Sequence, residues 1–423
     1  MRTINHIIGG EEVVSTSGRT SPVYNPATGE VTSEVGLAST EEVDQAVAAA
    51  SAAFEEWRAT SIARRTAVMY RFRDLVDQRR DDIAALLTAE HGKVLSDSLG
   101  EIQRGIENIE YACGLAEHLK GSFSQEVSTD VDVYSIRQPL GVVAGITPFN
   151  FPSMVPMWMF PNAIAAGNTF VLKPSEKDPS VNQLAAELLT DAGLPDGVFN
   201  VLQGDKLAVD RLLEHPDVAA VSFVGSTPIA KYVYTTGTNA GKRVQALGGA
   251  KNHMIVLPDA DIGLAADAAV SAGYGSAGER CMAISVVVAV GAVADPLVEA
   301  IEDRIPTVTV GDGTDPASQM GPLITAEHRD RVASFIEGAP AEGATVVVDG
   351  RKHTYEGDGF FLAPSLLDNV NPGMRCYDDE IFGPVLCVVR VDTYDEAVGL
   401  IADNAFGNGT AIFTRDGGAA RRF

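Results

Sequence analysis

The spacing of apolar residues changes along the chain, and each change predicts a different kind of element. Over residues 40–119 apolar side chains recur every three or four positions, as in Ile83, Leu86 and Leu87, and glycine is rare. This is the period of an amphipathic helix that buries one face. We therefore predict a layer of helices over this segment.

A polar stretch with β-branched residues follows the helical segment. Over 125–138, Val127, Val131, Val133 and Tyr134 stand among serine, threonine and aspartate. β-branched and aromatic residues favour extended backbone, so this composition predicts a hairpin rather than a helix. Because many of its side chains are polar, we expect the hairpin to protrude or to face another subunit.

From Gly141 onward, short β-branched runs alternate with stretches of helical period. The candidates follow in the order GVVAGI, a helix near Met157–Ala166, TFVLKP, a helix near Leu184–Ala192, VFNVL, a further helix and VAAVSFVG. Such alternation is typical of βαβ units, in which helices cover both faces of a parallel sheet. A second region of this kind begins near Leu247, with the strand candidates ISVVVAV, ATVVVDG, PVLCVVRV and GTAIFT. The predicted fold class is therefore α/β.

Length and charge narrow the kind of protein. At 423 residues the chain exceeds what one hydrophobic core usually holds, which predicts two or three domains. It has no apolar run long enough to cross a bilayer, and the opening MRTINHIIGGEE lacks the apolar stretch of a secretory signal, so we expect a cytoplasmic protein. A formal net charge of -25 repels phosphate backbones and anionic lipid, so we expect neither nucleic acid nor a membrane as a partner.

The chain has four cysteines, and one of them follows a glycine-rich segment. Cys113, Cys281, Cys376 and Cys387 form no C-x-x-C pair and no metal-ligand spacing, so we predict free thiols, no metal site and at most one reactive cysteine. The run from Gly273 to Gly278 fits the pattern G-x-G-x-x-G. An alanine-rich helical stretch precedes it in place of a strand, so we reject it as a phosphate loop.

The glycine run leads into Glu279, Arg280 and Cys281. Small residues there leave the backbone open to a ligand, and the neighbouring Arg280 favours the thiolate form that acts as a nucleophile. Taken alone, a single cysteine is more often an inert core residue. Cys281 is therefore a candidate nucleophile whose support has to come from other parts of the chain.

Asn150 lies in the segment GITPFNFP, directly after the first strand of the predicted sheet. Ligands of open α/β sheets bind at the carboxyl ends of the strands, and an asparagine amide held there can donate a hydrogen bond to an oxyanion. A plain turn between strand and helix explains this loop equally well.

Two further strand ends carry candidate cofactor contacts. LKPSEK closes the next strand with Lys173 and Glu176, and this glutamate can bind ribose hydroxyls and would repel a 2'-phosphate, which favours NAD over NADP. VGSTP predicts a helix start at Ser226, whose free N–H groups can bind a pyrophosphate. A solvated charged turn and a plain helix cap are the respective alternatives.

Five motifs occur in one order along the chain: Thr147 to Pro152, Lys173 to Lys177, Gly225 to Thr227, Gly278 to Cys281 and Glu380 to Pro384. In these motifs the chain resembles the aldehyde dehydrogenase superfamily over nearly its whole length. The resemblance implies a parallel-sheet dinucleotide-binding domain over 1–121 and 141–246, a bridging and oligomerisation hairpin over 122–140, and an α/β catalytic domain over 247–423. It also implies a homo-oligomer, either a dimer or a tetramer.

Carried over position by position, the resemblance implies that Cys281 attacks the aldehyde and that Asn150, with the backbone N–H of Cys281, forms the oxyanion hole. NAD is the implied cofactor. Its implied contacts are Lys173, Glu176 and Lys177 at the adenine ribose, Ser226 at the pyrophosphate, Glu380 and Phe382 at the nicotinamide end, and Thr147, Phe149 and Gly248 along the cofactor cleft.

The chain departs from hydrolytic members of the superfamily at one position. Where they have a Glu-Leu-Gly-Gly segment whose glutamate activates water, this chain has Ala246-Leu247-Gly248-Gly249. General-base assistance is worth about two to four orders of magnitude, so water should attack the thioester slowly and the thiol of coenzyme A becomes the expected acyl acceptor. One alternative is a hydrolytic enzyme whose base is Glu279 or another nearby carboxylate. Another is a catalytically silent protein that kept the fold.

Four segments resemble methylmalonate-semialdehyde dehydrogenase, the CoA-acylating branch: Ala246, GAKNH over 249–253, YSIRQPLG over 134–141 and VPMWMFP over 155–161. The resemblance implies that methylmalonate and malonate semialdehyde are oxidised and decarboxylated to propionyl-CoA and acetyl-CoA in valine or inositol catabolism. Because these substrates carry a carboxylate, they need a cation, and Arg104 and Arg280 are the candidates. A solvated or salt-bridged helix face explains Arg104 equally well.

The last segment of the chain, GGAARRF, follows the strand candidate GTAIFT at the point where a covering helix should begin. The resemblance implies that members continue into further elements that line the substrate tunnel. We therefore expect the C-terminal end of the catalytic domain to be incomplete in this chain.

Overall fold

The computed structural model describes residues 2–423. The chain divides into two compact units, and each has its own sheet. The first unit comprises the chain up to Val23, Val31–Leu87 and Ser98–Gly248. The second unit comprises Tyr24–Glu30, Thr88–Asp97 and Gly249–Phe423. The roles implied for the three predicted domains stay predictions.

The first 134 residues contain short strands, a run of helices and a hairpin. The strands are β1 Arg2–Ile4, β2 His6–Ile8, β3 Glu11–Val13, β4 Thr20–Asn25 and β5 Glu30–Gly36. The helices are α1 Thr40–Ala59, α2 Ile62–Gln78, α3 Arg80–His91, α4 Leu95–Cys113 and α5 Leu115–His118, which confirms the predicted helical layer. Apolar residues of α4, among them Ile102, Ile106 and Ile109, are buried on one face as their spacing requires.

The predicted hairpin is present as β6 Phe123–Ser128 and β7 Val131–Tyr134, which pair in antiparallel orientation. Every residue of both strands is exposed. The exposed side chains include large apolar ones, namely Phe123, Val127, Val131, Val133, Tyr134 and the following Ile136. The extended conformation is therefore confirmed, whereas the bridging role stays a prediction.

The rest of the first unit alternates strands and helices, as predicted. These elements are β8 Val142–Ile146, α6 Met154–Ala165, β9 Thr169–Lys173, α7 Ser180–Asp191, β10 Phe199–Val201, α8 Lys206–Glu214, β11 Val218–Val224, α9 Thr227–Asn239 and β12 Arg243–Leu247. They build a seven-stranded sheet in the order β12-β11-β8-β9-β10-β2-β3, in which β8 to β12 are parallel. Strand β8 is buried throughout, because it lies inside the sheet between β9 and β11.

The second unit contains a six-stranded sheet in the order β15-β16-β17-β14-β13-β18. Its elements are β13 Asn252–Val256, α10 Ile262–Tyr274, β14 Ile284–Val290, α11 Ala294–Arg304, α12 Ala326–Glu342, β15 Thr345–Val348, β16 Ser365–Asp368, α13 Arg375–Asp378, β17 Val385–Val391, α14 Tyr394–Asp403, β18 Thr410–Phe413 and α15 Gly417–Arg422. All four predicted strands of this region are present, as β14, β15, β17 and β18. Across residues 2–423, we find no helix that combines the length and the apolar character needed to span a membrane.

Candidate active site

The register of the first sheet brings three predicted loops to one edge. Ile146 at the end of β8 pairs with Lys173 of β9 on one side and with Phe223 of β11 on the other. The loops after β8, β9 and β11 therefore start at the same level of the sheet, at the carboxyl ends where ligands of this fold class bind. These loops carry Asn150, Glu176 and Ser226.

The loop after β8 is buried although it carries polar side chains. Asn150 is 1% exposed and Thr147 is 5% exposed. The Thr147 hydroxyl has no hydrogen-bond partner within residues 2–423. A buried hydroxyl left without a partner is costly, so this atom is suited to contact a bound ligand.

Lys173 and Glu176 lie together after β9. The buried Lys173 ammonium lies 3.4 Å from Oε2 of Glu176 and donates to the carbonyl of Gly204 at 2.9 Å. The Glu176 side chain stays 35% exposed, so its carboxylate is oriented by the lysine and still open to a sugar hydroxyl. Lys177 stacks its ammonium over the ring of Phe149, 4.6 Å from the centroid. These four residues were predicted from the sequence, whereas the cation–π contact between Lys177 and Phe149 was not.

Ser226 is the N-cap of α9, and proline stands in the first turn of that helix, as predicted. The Ser226 side chain makes no capping hydrogen bond, so its exposed hydroxyl is available to a ligand at the start of this helix. A side chain at Gly248 would lie 3.0 Å from Oγ1 of Thr227, so the backbone passes close to this helix end. The orphaned Thr147 hydroxyl, the oriented carboxylate and the open helix start together fit a dinucleotide.

In the second unit, Cys281 follows a turn with strained backbone. Helix α10 precedes the glycine run, which confirms that the run is not a phosphate loop after a strand. Ser276, Ala277 and Gly278 have consecutive φ values of 53°, 54° and 71°. The left-handed conformation costs a non-glycine residue about 1–2 kcal/mol, and such strain concentrates at functional sites.

Gly278 is required by this turn for a second reason. A Cβ atom there would lie 2.2 Å from the carbonyl oxygen of Gly383. Only glycine permits the turn before Cys281 to pack against the segment that carries Phe382 and Gly383. Phe382 itself has a φ of 59°, which marks a second strained position in the same contact region.

The four thiols differ in access to solvent, and none forms a disulfide within residues 2–423. Cys113, Cys376 and Cys387 are buried, whereas Cys281 is partly exposed. Burial raises the pKa of Cys113 to about 11, and a hydrogen bond with Cys376, together with burial, raises the pKa of Cys387. Among the described cysteines, only Cys281 combines access with a strained turn, which fits the predicted single reactive thiol.

Glu380 approaches the backbone that follows β12. Its Oε1 accepts a hydrogen bond from the amide of Ala250 at 2.9 Å, and a Cβ on Gly249 would lie 2.2 Å from Oε2. Burial raises the pKa of the Glu380 carboxyl. Glu380 and Cys281 line the same small cavity, whose volume of about 20 Å³ holds roughly one water molecule.

The two candidate arginines have different environments. Arg280 donates to Oδ1 of Asp97 at 2.5 Å, so its charge is already compensated. The Arg104 guanidinium lies 5.8 Å from the ring centroid of Phe151 and its Nε is 3.3 Å from the sulfur of Met154, and it has no carboxylate partner within residues 2–423. Arg104 is thus the more available of the two for a carboxylate ligand.

Glu101, which stands three residues before Arg104 on α4, was not predicted to contribute to the site. Its buried carboxylate accepts hydrogen bonds from the amides of Ser153 and Met154 at 2.8 and 3.0 Å. These amides open α6, so the contact fixes the segment that continues from Asn150. The signal in the sequence was the shared helical face of Glu101 and Arg104.

Glu279, the alternative base, is completely buried. Its Oε1 accepts a hydrogen bond from the amide of Ile324 at 3.3 Å and lies 3.5 Å from Nε2 of His328. This carboxylate is directed into the interior of the second unit. Its placement therefore gives no support to the activation of a solvent water.

Two largely parallel sheets, a strained turn before Cys281 and polar loops at the strand ends fit the fold of an aldehyde dehydrogenase. The sequence profile of the aldehyde dehydrogenase family matches residues 13–423. The chain belongs to this family.

Several relatives of this chain are named for a particular aldehyde substrate. A malonate-semialdehyde dehydrogenase of Pseudomonas aeruginosa is 55% identical, covering 100% of this chain and 86% of the relative. The crystal structure of a methylmalonate-semialdehyde dehydrogenase from Oceanimonas doudoroffii is 54% identical, with a TM-score of 0.98 over 100% of this chain and 87% of that one. The crystal structure of a protein described as a putative methylmalonate-semialdehyde dehydrogenase from Sinorhizobium meliloti, complexed with NAD, is 51% identical, with a TM-score of 0.98 over 100% of this chain and 87% of that one.

Proposed function

We propose that this protein is an NAD-dependent, CoA-acylating dehydrogenase of malonate and methylmalonate semialdehyde. The observation that carries the proposal is the combination of an accessible thiol at Cys281 with an alanine at position 246. The relatives named for these substrates support it. The thiol provides covalent capture of an aldehyde, and the alanine leaves no carboxylate at that position to assist water.

Cys281 begins the reaction. Its thiolate forms a bond to the aldehyde carbon, and the Asn150 amide and the Cys281 backbone N–H donate to the oxygen that becomes negative. Bound NAD supplies the acceptor for the hydride that leaves this carbon, which turns the adduct into a thioester. Loss of carbon dioxide and transfer of the acyl group to the thiol of CoA then free Cys281.

The first unit provides most of the residues proposed to hold NAD, and Glu380 and Phe382 of the second unit are proposed beside them. Lys173 and Glu176 would bind the adenine ribose, with Lys177 and Phe149 beside it, and Ser226 the pyrophosphate. The further contacts are Thr147, Gly248, Glu380 and Phe382. A 2'-phosphate would meet the Glu176 carboxylate, so we expect NAD to bind more tightly than NADP.

The carboxylate of the substrate requires a cation, and we assign it to Arg104 and Arg280. The uncompensated guanidinium of Arg104 ranks first, because Arg280 must exchange Asp97 for the substrate. Arg104→Lys keeps the charge but loses the planar pair of donors. We expect this variant to raise the KM for malonate semialdehyde about tenfold while leaving turnover of an uncharged aldehyde of similar size unchanged.

The exposed hairpin over 122–140 supports a proposal of homo-oligomers, either dimers or tetramers. Apolar side chains on both strands gain free energy when a second subunit covers them. Sedimentation of the protein alone would measure the assembly, and Tyr134→Glu is expected to shift it toward the monomer.

The test of the function is NADH formation from malonate semialdehyde, followed by absorbance, with and without CoA. Cys281→Ala serves as the matched control that lacks the nucleophile. We expect sustained turnover only when CoA and Cys281 are both present. Equal turnover without CoA would contradict the acylating mechanism and would require a base that activates water.

A further inference from the structure

The carbonyl group of the nucleophile Cys281 is held by two asparagine side chains. Nδ2 of Asn252 donates to this oxygen at 2.9 Å, and Nδ2 of Asn408 donates to it at 2.9 Å as well. A carbonyl oxygen has two lone pairs, so these two amides can occupy both of its acceptor directions. We name Asn252 and Asn408 the amide clamp.

Asn252 also bonds two further backbone groups, one just after the nucleophile and one just before β18. Its Nδ2 donates to the carbonyl of Ala283 at 2.8 Å, and its Oδ1 accepts from the amide of Gly409 at 2.9 Å. The residue is 2% exposed and starts β13. One buried side chain therefore fixes the backbone before β14 and the backbone before β18 relative to each other.

Asn408 reaches the same carbonyl from a rare backbone conformation. Its φ is 150°, a value that non-glycine residues seldom adopt, and it is an exposed loop residue with no packing need for a large side chain. An observed backbone outlier beside a nucleophile points to a role in the site. The hydrogen bond to the Cys281 carbonyl explains why an asparagine, rather than a glycine, occupies this strained position.

We propose that the amide clamp is a positioning device for Cys281 in the reaction assigned above, and this inference rests on that proposed function. Holding the Cys281 carbonyl restricts ψ of the nucleophile, and with it the direction of the Cα–Cβ bond that carries Sγ. A displacement of about 1 Å in a reacting group can cost about a hundredfold in rate. Asn252 and Asn408 act through Cys281 and do not touch substrate.

Asn408 offers the sharpest test, because its backbone and its amide can be separated. Asn408→Gly retains the positive φ at no steric cost but removes the donor. Asn408→Asp retains size and shape but turns an acceptor oxygen toward the Cys281 carbonyl. We expect kcat for CoA-dependent NADH formation to fall about tenfold in the glycine variant and further in the aspartate variant, with the KM for NAD within twofold of wild type.

A purely structural role for Asn408 predicts a different order. Glycine would then relieve the backbone and leave kcat unchanged, and that result would overturn the proposal. Asn252→Asp provides a second test, since it places a carboxylate against two carbonyls. Its matched control is Asn200→Asp, because Asn200 is a fully buried amide of the first unit whose Nδ2 also donates to two carbonyls and whose Oδ1 also accepts from one backbone amide. Activity is expressed per folded molecule, measured from the gel-filtration peak of the native protein, so that unfolded protein does not count.

The outcomes separate this inference from the proposed function. If Cys281→Ala abolishes turnover while both Asn408 variants keep the wild-type kcat, the clamp is wrong and the proposed function stands. If Cys281→Ala retains turnover, the nucleophile itself is wrong. The amide clamp and the proposed function are both supported if kcat falls from wild type to Asn408→Gly and further to Asn408→Asp while turnover still requires CoA.

Discussion

The two units position their candidate residues by different physical means. In the first unit, Asn150, Glu176 and Ser226 follow parallel strands whose register places their ends at one edge. In the second unit, Cys281 comes before strand β14, after a turn with three left-handed residues. Strand topology alone explains the first arrangement, whereas side chains distant in sequence hold the second.

This difference indicates where each unit should be sensitive to substitution. The position of a loop at the end of a buried strand is fixed by the sheet, so substitutions there should lower the catalytic rate more than the stability of the fold. A strained turn is held in place by its contacts, so substitutions there should lower both the catalytic rate and the stability of the fold. The four predictions that follow test this contrast, beginning with the largest expected effect.

Asn150→Ala should lower kcat about 10²- to 10³-fold, because removal of one oxyanion donor has that effect in other enzymes. Steady-state NADH formation with saturating CoA measures it, with the thermal midpoint recorded beside it. Asn168→Ala, which also removes a buried amide of the first unit, is the control and should affect stability only. If Asn150→Ala lowered the thermal midpoint but left kcat unchanged, the proposed difference between the two units would be wrong.

Ala246→Glu should create CoA-independent turnover, at least about tenfold above the wild-type background, because it returns a carboxylate to the position of the missing base. Ala246 is only partly buried in β12, which leaves room for a longer side chain. Ala246→Gln has the same size without the base and should stay CoA-dependent. Identical rates for the two variants would show that position 246 does not control the acyl acceptor.

Gly278→Ala should destabilise the protein by about 2 kcal/mol or more, because it combines an unfavourable φ with a clash. The added Cβ would lie 2.2 Å from the Gly383 carbonyl. Gly338→Ala is the matched control, since a Cβ there meets nothing within 4 Å in helix α12, and it should stabilise by up to about 1 kcal/mol. Urea denaturation measures both values. If Gly278→Ala had the same urea midpoint as the wild type, the turn before Cys281 would have to rearrange without a cost in stability.

Glu380→Gln should have the smallest effect, a modest rise in thermal stability at neutral pH with weaker NAD binding. Burial raises the pKa of Glu380 above its ordinary 4.5, so the folded state binds this proton more tightly than the unfolded chain does. Ionisation therefore costs stability as the pH rises from 4.5 through the folded pKa. The gain from glutamine should be present at pH 7.5 and vanish below pH 4.5, which melting curves at the two values would check. A gain that is independent of pH would exclude this cause.

Much of the fold could be predicted because the spacing of apolar residues along the chain matches the geometric repeat of the helices and strands that form. The helical layer over 40–119 and eight strands of the two sheets follow from apolar spacing, since a helix or strand must bury one face wherever it packs. Asn150, Glu176 and Ser226 could be predicted as a group because parallel strands put their carboxyl ends together. The resemblance to the family supplied the roles of Cys281 and Glu380.

The rest was decided by tertiary structure. The sequence by itself determined the α/β class and the helical layer, and it predicted that the loops carrying Asn150, Glu176 and Ser226 meet at one edge of the first sheet. It could not show that Glu101 caps α6, that Asp97 compensates Arg280, or that Asn252 and Asn408 meet at the Cys281 carbonyl. Those contacts join residues that are 29 to 183 positions apart, and no local period encodes them. Such pairs form only when packed elements bring their donors and acceptors together, so the three-dimensional fold alone determines them.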